Sequence, residues 1–320
     1  MDKPITDSFP NSASARRPKR AIDGILLIDK PLDMSSAQVV GKVKWLLGCE
    51  KIGHAGTLDP GASGLLVCLL GRATRLAAHA EEGRKIYSGT VALGVTTTTD
   101  DLAGEVLTRA EVRVREEQLE AVLPRLRGEI LQLPPQVSAL KVGGERAYAL
   151  VRRGEEVALK PRPVTIYSLT LSNFQGDTFD FRCECSKGTY IRSLARDIGA
   201  ALGCGGALKS LRREASWPFS VAQGTRLDGE LTTAILPWFD LFPDTPRIEL
   251  PLPGALGVWN GDLRALARIP EPRVGQERAL YAAQGGQPAG LLRWDGTGWR
   301  IGVNVSVPGK HDRGSETEGE

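Results

Sequence analysis

Asp59 is the residue of this chain best placed to do chemistry. It lies in Gly53-His54-Ala55-Gly56-Thr57-Leu58-Asp59-Pro60, with Ala62, Gly64 and Leu65 just beyond. Gly, Thr and Pro build a turn that holds a side chain outside any ladder, backed by rigid structure. An aspartate before proline is also an ordinary turn former, so the segment alone does not separate the two uses. Three further segments have the composition of a site. Lys85-Ile86-Tyr87 sets an aromatic beside a cation. Ser186-Lys187-Gly188-Thr189-Tyr190-Ile191-Arg192 is a tight turn leading into a helix, and Leu211-Arg212-Arg213 adds basic density. Together they offer an acid, a cation to hold it ionised, and aromatic faces on which a base could stack.

Other chemistries find little support. Gly203 to Ser210 imitates a phosphate loop, but Leu208 stands where that motif needs glycine, and a helical pattern precedes it. Histidines fall at 54, 79 and 311, too scattered for a ligand cluster, so no metal is expected. Cys183 and Cys185 alternate with Arg182 and Glu184 and read as the buried face of a strand. Five cysteines, an odd number, argue against a disulfide framework and for a reducing cytoplasm.

The elements that must position these residues are visible as patterns. Gly24 to Asp29 is a short apolar strand stopped at Lys30-Pro31. Ser35-Ser36 can cap a helix whose Val39, Val40, Val43, Leu46 and Leu47 fit the 3.6 period. Arg84 to Val95 alternates like a strand, and Leu119, Val122, Leu123 and Leu126 mark an amphipathic helix. Val164–Phe174 and Asp177–Cys185 form a hairpin around Gln175-Gly176, followed by a helix over Tyr190–Leu202. Strands and helices mix without regular βαβ alternation. The fold class is therefore α+β, a mixed and largely antiparallel sheet with flanking helices.

The chain of 320 residues is long for one domain. Five parts are expected. Residues 1–20 form a disordered basic segment, 21–236 the main domain, and 237–251 a linker marked by prolines at 237, 243, 246 and 251. Residues 252–308, rich in Gly and short β-like runs, form a small β-rich domain, and 309–320 an acidic disordered tail. The longest apolar run, Leu65 to Leu70, is far short of a membrane span, and residues 1–20 contain no secretory signal. The net charge of +3 is unevenly spread: Lys141 to Arg213 carries thirteen Lys/Arg against seven Asp/Glu. That basic middle suits a polyanion.

These motifs resemble the TruB/dyskerin family of pseudouridine synthases, in the manner of its bacterial tRNA pseudouridine-55 synthases. The matching pieces are Lys30-Pro31 with Ser35-Ser36, the Asp59 box, Lys85-x-Tyr87, and Cys185-Ser186-Lys187-Gly188-Thr189-Tyr190-Ile191-Arg192. Gly94 with Thr96, Thr98, Asp100 or Asp101 and Gly104, then Ser138 to Lys141 with Arg146-Ala147-Tyr148, extend the likeness over about residues 22 to 215. Val137 stands where the family commonly has tyrosine.

The resemblance implies a pseudouridine synthase fold with a PUA-like RNA-binding domain over 252–308. It also implies isomerisation of a uridine in the T-arm loop of tRNA, position 55, without a cofactor. The base would be flipped into a pocket, its C1′–N1 bond broken and C1′ rejoined to C5. Asp59, Tyr87 and Arg192 would be catalytic. His54, Tyr87, Tyr190, Leu211 and Lys30 would bind or support the nucleotide, and the basic segments Lys141–Lys160 and Lys209–Arg213 would hold phosphates. A monomer acting in the cytoplasm, with tRNA as partner, no membrane and no obligate protein partner, completes the expectation. Two rivals differ in class. One is a non-catalytic tRNA-binding or tRNA-folding protein of the same fold. The other is a glycosidic-bond hydrolase, which needs a second carboxylate that the boxes do not pair with Asp59.

Overall fold

In the computed structural model, residues 20–137, 141–142, 145–146, 153 and 159–308 are described. The expectations for residues 1–19, for 309–320 and for most of the basic segment 138–158 lie outside them.

Ser35 caps α1 (Ser36–Leu47) through a capping box with Gln38, and Gly48 ends it at φ +62°. Its inner stripe, Val39, Val43 and Leu47, covers β1 (Gly24–Lys30). Strand β2 (Ile52–Ala55) leads through the Asp59 loop to β3 (Ala62–Leu70), whose Leu65–Leu70 run is buried on both faces. Helix α2 (Ala77–Glu82) precedes β4 (Lys85–Leu93). A small ribbon of β5 (Val95–Thr97) and β6 (Val106–Arg109) follows, then α3 (Glu116–Val122) and β7 (Gly128–Gln132). Short strands β8 (Lys141–Val142) and β9 (Glu145–Arg146) pair with each other. The expected hairpin is β10 (Arg162–Ser172) with β11 (Thr178–Cys185), and the expected helix is α4 (Ile191–Ala201).

Strand β12 (Gly206–Ser216) is the element that the sequence pattern did not show. It pairs antiparallel with β4 and parallel with β3, so it stitches two halves of one sheet together. The order is β14-β1-β3-β12-β4-β11-β10-β7, with β2 on β3, β13 (Phe219–Ser220) on β12, and β14 (Ile235–Leu236) at one edge. Helix α1 lies over β1 and β3, whereas α3 and α4 lie over β4, β10 and β11. The seam at β12 falls between these two layers.

The opposite face of β1 and β3, carrying Ile25, Leu27, Leu65, Val67 and Leu69, is closed by Trp238, Leu241 and Phe242 and by Leu280, Leu291 and Val305. This differs from the linker expected over 237–251. Trp238 is 1% exposed, and β15 (Arg247–Leu250) pairs with β16 (Arg278–Ala283) as part of the second sheet. The prolines interrupt helices and strands there without freeing the chain, because the aromatic residues between them are buried. The second sheet continues through β17 (Pro288–Trp294) and β18 (Trp299–Asn304), with α5 (Leu252–Trp259) packed on it. Among the described residues no helix is long and apolar enough to cross a membrane.

Candidate active site

The loop between β2 and β3 is tied down on every side before it presents Asp59. Gly56 opens it at φ +81°, a left-handed conformation that side chains resist. The Gly56 N–H donates to Glu81 Oε1 at 3.2 Å, and its carbonyl accepts from Arg213 Nη2 at 3.0 Å. Ser36, on the first turn of α1, exchanges hydrogen bonds with the backbone N–H and C=O of Leu58 at 2.8 and 2.9 Å. The Pro60 carbonyl accepts from Asp33 N at 2.9 Å and from Lys30 Nζ at 3.4 Å. The backbone is fixed, yet the Asp59 side chain stays 49% exposed.

Arg192 approaches from the first turn of α4. Its Nη2 lies 3.1 Å from Asp59 Oδ2, and its side chain is only 9% exposed. Three further contacts aim it: Nη1 donates to Thr99 O and Nη2 to Val137 O, both at 3.0 Å, and Nε faces Asp101 Oδ2 at 3.8 Å. Tyr190, the residue before α4, is clamped through its backbone. Its N–H donates to Gln132 Oε1 at 2.8 Å, and its carbonyl accepts from Gln132 Nε2 at 3.0 Å. The helix start is thus pinned to β7, which positions Arg192 one residue later.

Tyr87 and Leu211 lie on one face of the sheet, on neighbouring strands. Tyr87 on β4 stands opposite Arg213 on β12, and Leu211 opposite Gly89, so the four share one face. Burial raises the Tyr87 pKa above its ordinary value, and the neighbouring Arg213 charge opposes that rise in part. His54 is half-buried on β2, opposite Cys68.

Lys30 is 0% exposed and donates to Pro31 O, Met34 O and Pro60 O. It sits behind the Asp59 loop as a brace. Burial lowers its pKa, offset in part by Asp33 and Asp59.

Two expectations are corrected. Arg213 is too buried to join the phosphate-holding segment expected over Lys209–Arg213. Arg212 is engaged by Asp29 at 2.8 Å, and Arg213 is 1% exposed. Of that basic segment Lys209 remains exposed. A second carboxylate also reaches the Asp59 cluster, namely Asp101, held by Thr99 Oγ1 at 2.6 Å and Ala103 N at 3.1 Å. The sequence shows Asp100 and Asp101 side by side, and their spacing does not say which faces Arg192; Asp100 instead pairs with Arg196 at 2.8 Å. Among the described residues no cluster of three metal-ligating side chains occurs.

A rigidly framed, half-exposed aspartate held by a buried arginine suits chemistry on a group that reaches it from solvent. Comparison with known proteins agrees. The family described as TruB family pseudouridylate synthase (N terminal domain) matches residues 44–191. A tRNA pseudouridine synthase B from Sinorhizobium medicae (strain WSM419) is 51% identical over 205 residues. That match spans 64% of this chain and 66%, just under two thirds, of the relative. Another, from Cereibacter sphaeroides (strain ATCC 17025 / ATH 2.4.3), is 41% identical over 284 residues, covering 86% of this chain and 93% of the relative.

Among solved structures, a Cbf5-Nop10-Gar1 complex superposes with a TM-score of 0.63 at 25% identity over 89% of this chain and 83% of that one. An H/ACA RNP bound to a substrate RNA containing 2′-deoxyuridine gives 0.64 at 22% identity over 92% and 87%, a likeness of fold. With the site geometry, the fold and a relative matched over nearly its whole length in accord, the chain belongs to the TruB family of pseudouridylate synthases.

Proposed function

We propose that this protein is a tRNA pseudouridine synthase that isomerises a uridine in the T-arm loop, position 55. The observation that carries the reading is the 3.1 Å contact of the half-exposed Asp59 with the buried Arg192. A uridine in a folded RNA loop is reached only after it leaves its stack, and an exposed carboxylate on a rigid loop is what a flipped nucleotide would meet. Asp59 is the group that attacks or deprotonates the nucleotide, and Arg192 keeps it aimed. Tyr87 stacks on the base, Leu211 and Tyr190 wall it in, His54 contacts the vacated or target position, and Lys30 braces the loop from behind.

Relatives named tRNA pseudouridine synthase B support tRNA as the substrate class. Residues 252–308 act as a PUA-like RNA-binding unit. The protein works in the cytoplasm as a monomer with tRNA as its partner. We infer no metal or organic cofactor, because the isomerisation changes no oxidation state and moves only protons to and from the nucleotide.

The test is release of the C5 hydrogen from tRNA carrying 5-tritiated uridine. Wild-type protein should release one equivalent per tRNA, and a transcript with cytidine at the target should release none from that position. Asp59→Asn should bind tRNA as wild type does and release nothing. Binding without release by the wild type would instead favour the non-catalytic reading.

A further inference from the structure

Three buried cations stand behind the candidate site. Lys30, Lys85 and Arg213 are 0%, 5% and 1% exposed. Their hydrogen bonds run to backbone carbonyls: Lys30 as above, Lys85 to Glu81 and Gly83, Arg213 to Leu65 at 2.7 Å and Gly56 at 3.0 Å. Among the described residues no salt bridge includes any of the three. An unpaired buried cation is costly, and such cost is concentrated where function uses the charge.

The three differ in kind. Both lysines have lowered pKa values, chiefly from burial and in part from Arg213 itself, so they yield protons more easily than usual. A guanidinium does not yield its proton, so Arg213 is the fixed charge of the group. Its direction is also fixed. A Cβ built on Gly56 would lie 3.2 Å from Nη1, and Arg213 stands directly opposite Tyr87 across the β12–β4 pair. It therefore lies beside Tyr87 and under the loop that carries Asp59.

The isomerisation gives such a charge a use. When C1′–N1 breaks, its electron pair stays on N1, so the detached uracil is an anion and C1′ carries the matching positive charge, which the Asp59 carboxylate meets or loss of the C2′ proton relieves. The base turns, C5 bonds to C1′, the C5 proton departs, and N1 ends protonated, with no net change in charge. Arg192 already faces two carboxylates, Asp59 and Asp101. Those carboxylates suit the electron-poor C1′, and the uracil anion across the broken bond is left to a further cation.

We propose that Arg213 is a positioning residue whose fixed charge, set opposite Tyr87 and under the loop of Asp59, offsets the negative charge on the detached base. The inference rests on the synthase reading above.

Single-turnover tritium release, with tRNA binding measured alongside, tests it on the full chain. Arg213→Met keeps the apolar stem and removes the charge; its rate should fall about a hundredfold or more while tRNA affinity holds within about threefold. Arg213→Lys keeps the charge and should stay within about tenfold of wild type near pH 6.5. Its rate relative to wild type should then drop toward about pH 9, because a lysine buried there loses its proton as pH rises. A purely structural role would not produce that pH dependence.

The proposal is overturned if Arg213→Met turns over within about tenfold of wild type, or if Arg213→Lys fails equally at both pH values. Should Arg213→Met not fold, the pH behaviour of Arg213→Lys decides by itself. If wild type releases no tritium, the synthase reading fails; if it does and Arg213→Met does too, the assignment of Arg213 alone fails.

Discussion

Arg192 faces two carboxylates unequally, Asp59 at 3.1 Å and Asp101 at 3.8 Å, and that inequality sorts their work. Asp59 is solvent-facing and free to meet a substrate. Asp101 is held by Thr99 and Ala103, so it serves to steer the guanidinium. Asp101→Asn removes the charge that Nε faces. We expect tRNA binding to persist while the single-turnover rate drops about 10- to 100-fold, the scale on which small misplacements act; an unchanged rate would refute the steering role.

Lys85 makes a second prediction at this scale. Burial lowers its pKa from the ordinary 10.5 to about 8. Below pH 8 both the folded and unfolded chains hold the proton, and the folded chain bears the whole penalty of the buried charge. Between about pH 8 and 10.5 the unfolded chain binds more protons, so this residue's contribution to stability improves as pH rises. In urea unfolding, the stability of wild type minus that of Lys85→Met should therefore climb by up to about 3 kcal/mol across that window. Comparing the two proteins cancels the opposing effects of Cys68 and Tyr87, whose pKa values are raised. A flat difference would contradict the buried charge.

At the scale of elements, the Asp59 loop is rigid because α1 and β1 reach it. The Ser36 hydroxyl satisfies both polar groups of the Leu58 backbone, in a spot that is 2% exposed. Ser36→Ala leaves both groups unpaired. It should cost about 1–3 kcal/mol in chemical denaturation and lower kcat more than tRNA affinity, since the displaced loop carries Asp59. Preserved kcat with lowered stability would mean that Lys30 and Arg213 hold the loop without it.

The same elements show what the sequence disclosed. Helices α1 and α4 were legible because each carries one apolar stripe, and the β10–β11 hairpin because its alternation is clean around Gly176. The Asp59, Tyr87 and Arg192 boxes were legible as motifs. Strand β12 was hidden because its inward face includes a full-length arginine at position 213, which breaks the apolar alternation that marks a strand. The setting of Arg213 was hidden for the same reason: beside Arg212 it reads as surface charge, and a buried cation bonded to backbone carbonyls is visible only in three dimensions. Asp101 was ambiguous with Asp100 until the turn, with Asp100 at φ +61°, sent the two side chains to different arginines.

At the scale of the whole molecule, the two sheets share one core. Trp238 lies in the seam, its indole N–H donating to Ser306 Oγ at 2.9 Å and its ring edge-on to Phe239 and Phe242. Around it, residues of β1 and β3 meet Leu280 and Leu291 of the second sheet and Val305 just past β18. Arg278–Glu82 at 2.8 Å and Arg75 Nη1 to Asn304 O at 3.0 Å add polar contacts at the rim, where each is worth little. The apolar seam must therefore dominate the coupling. Trp238→Ala opens a cavity that neither sheet can close alone, and should destabilise the chain by about 3–5 kcal/mol. Far-UV circular dichroism and tryptophan fluorescence should follow one coincident urea transition in the wild type, moved to lower urea in the variant. Two separated wild-type transitions would show that the sheets unfold independently and that the buried seam couples them less than its packing requires.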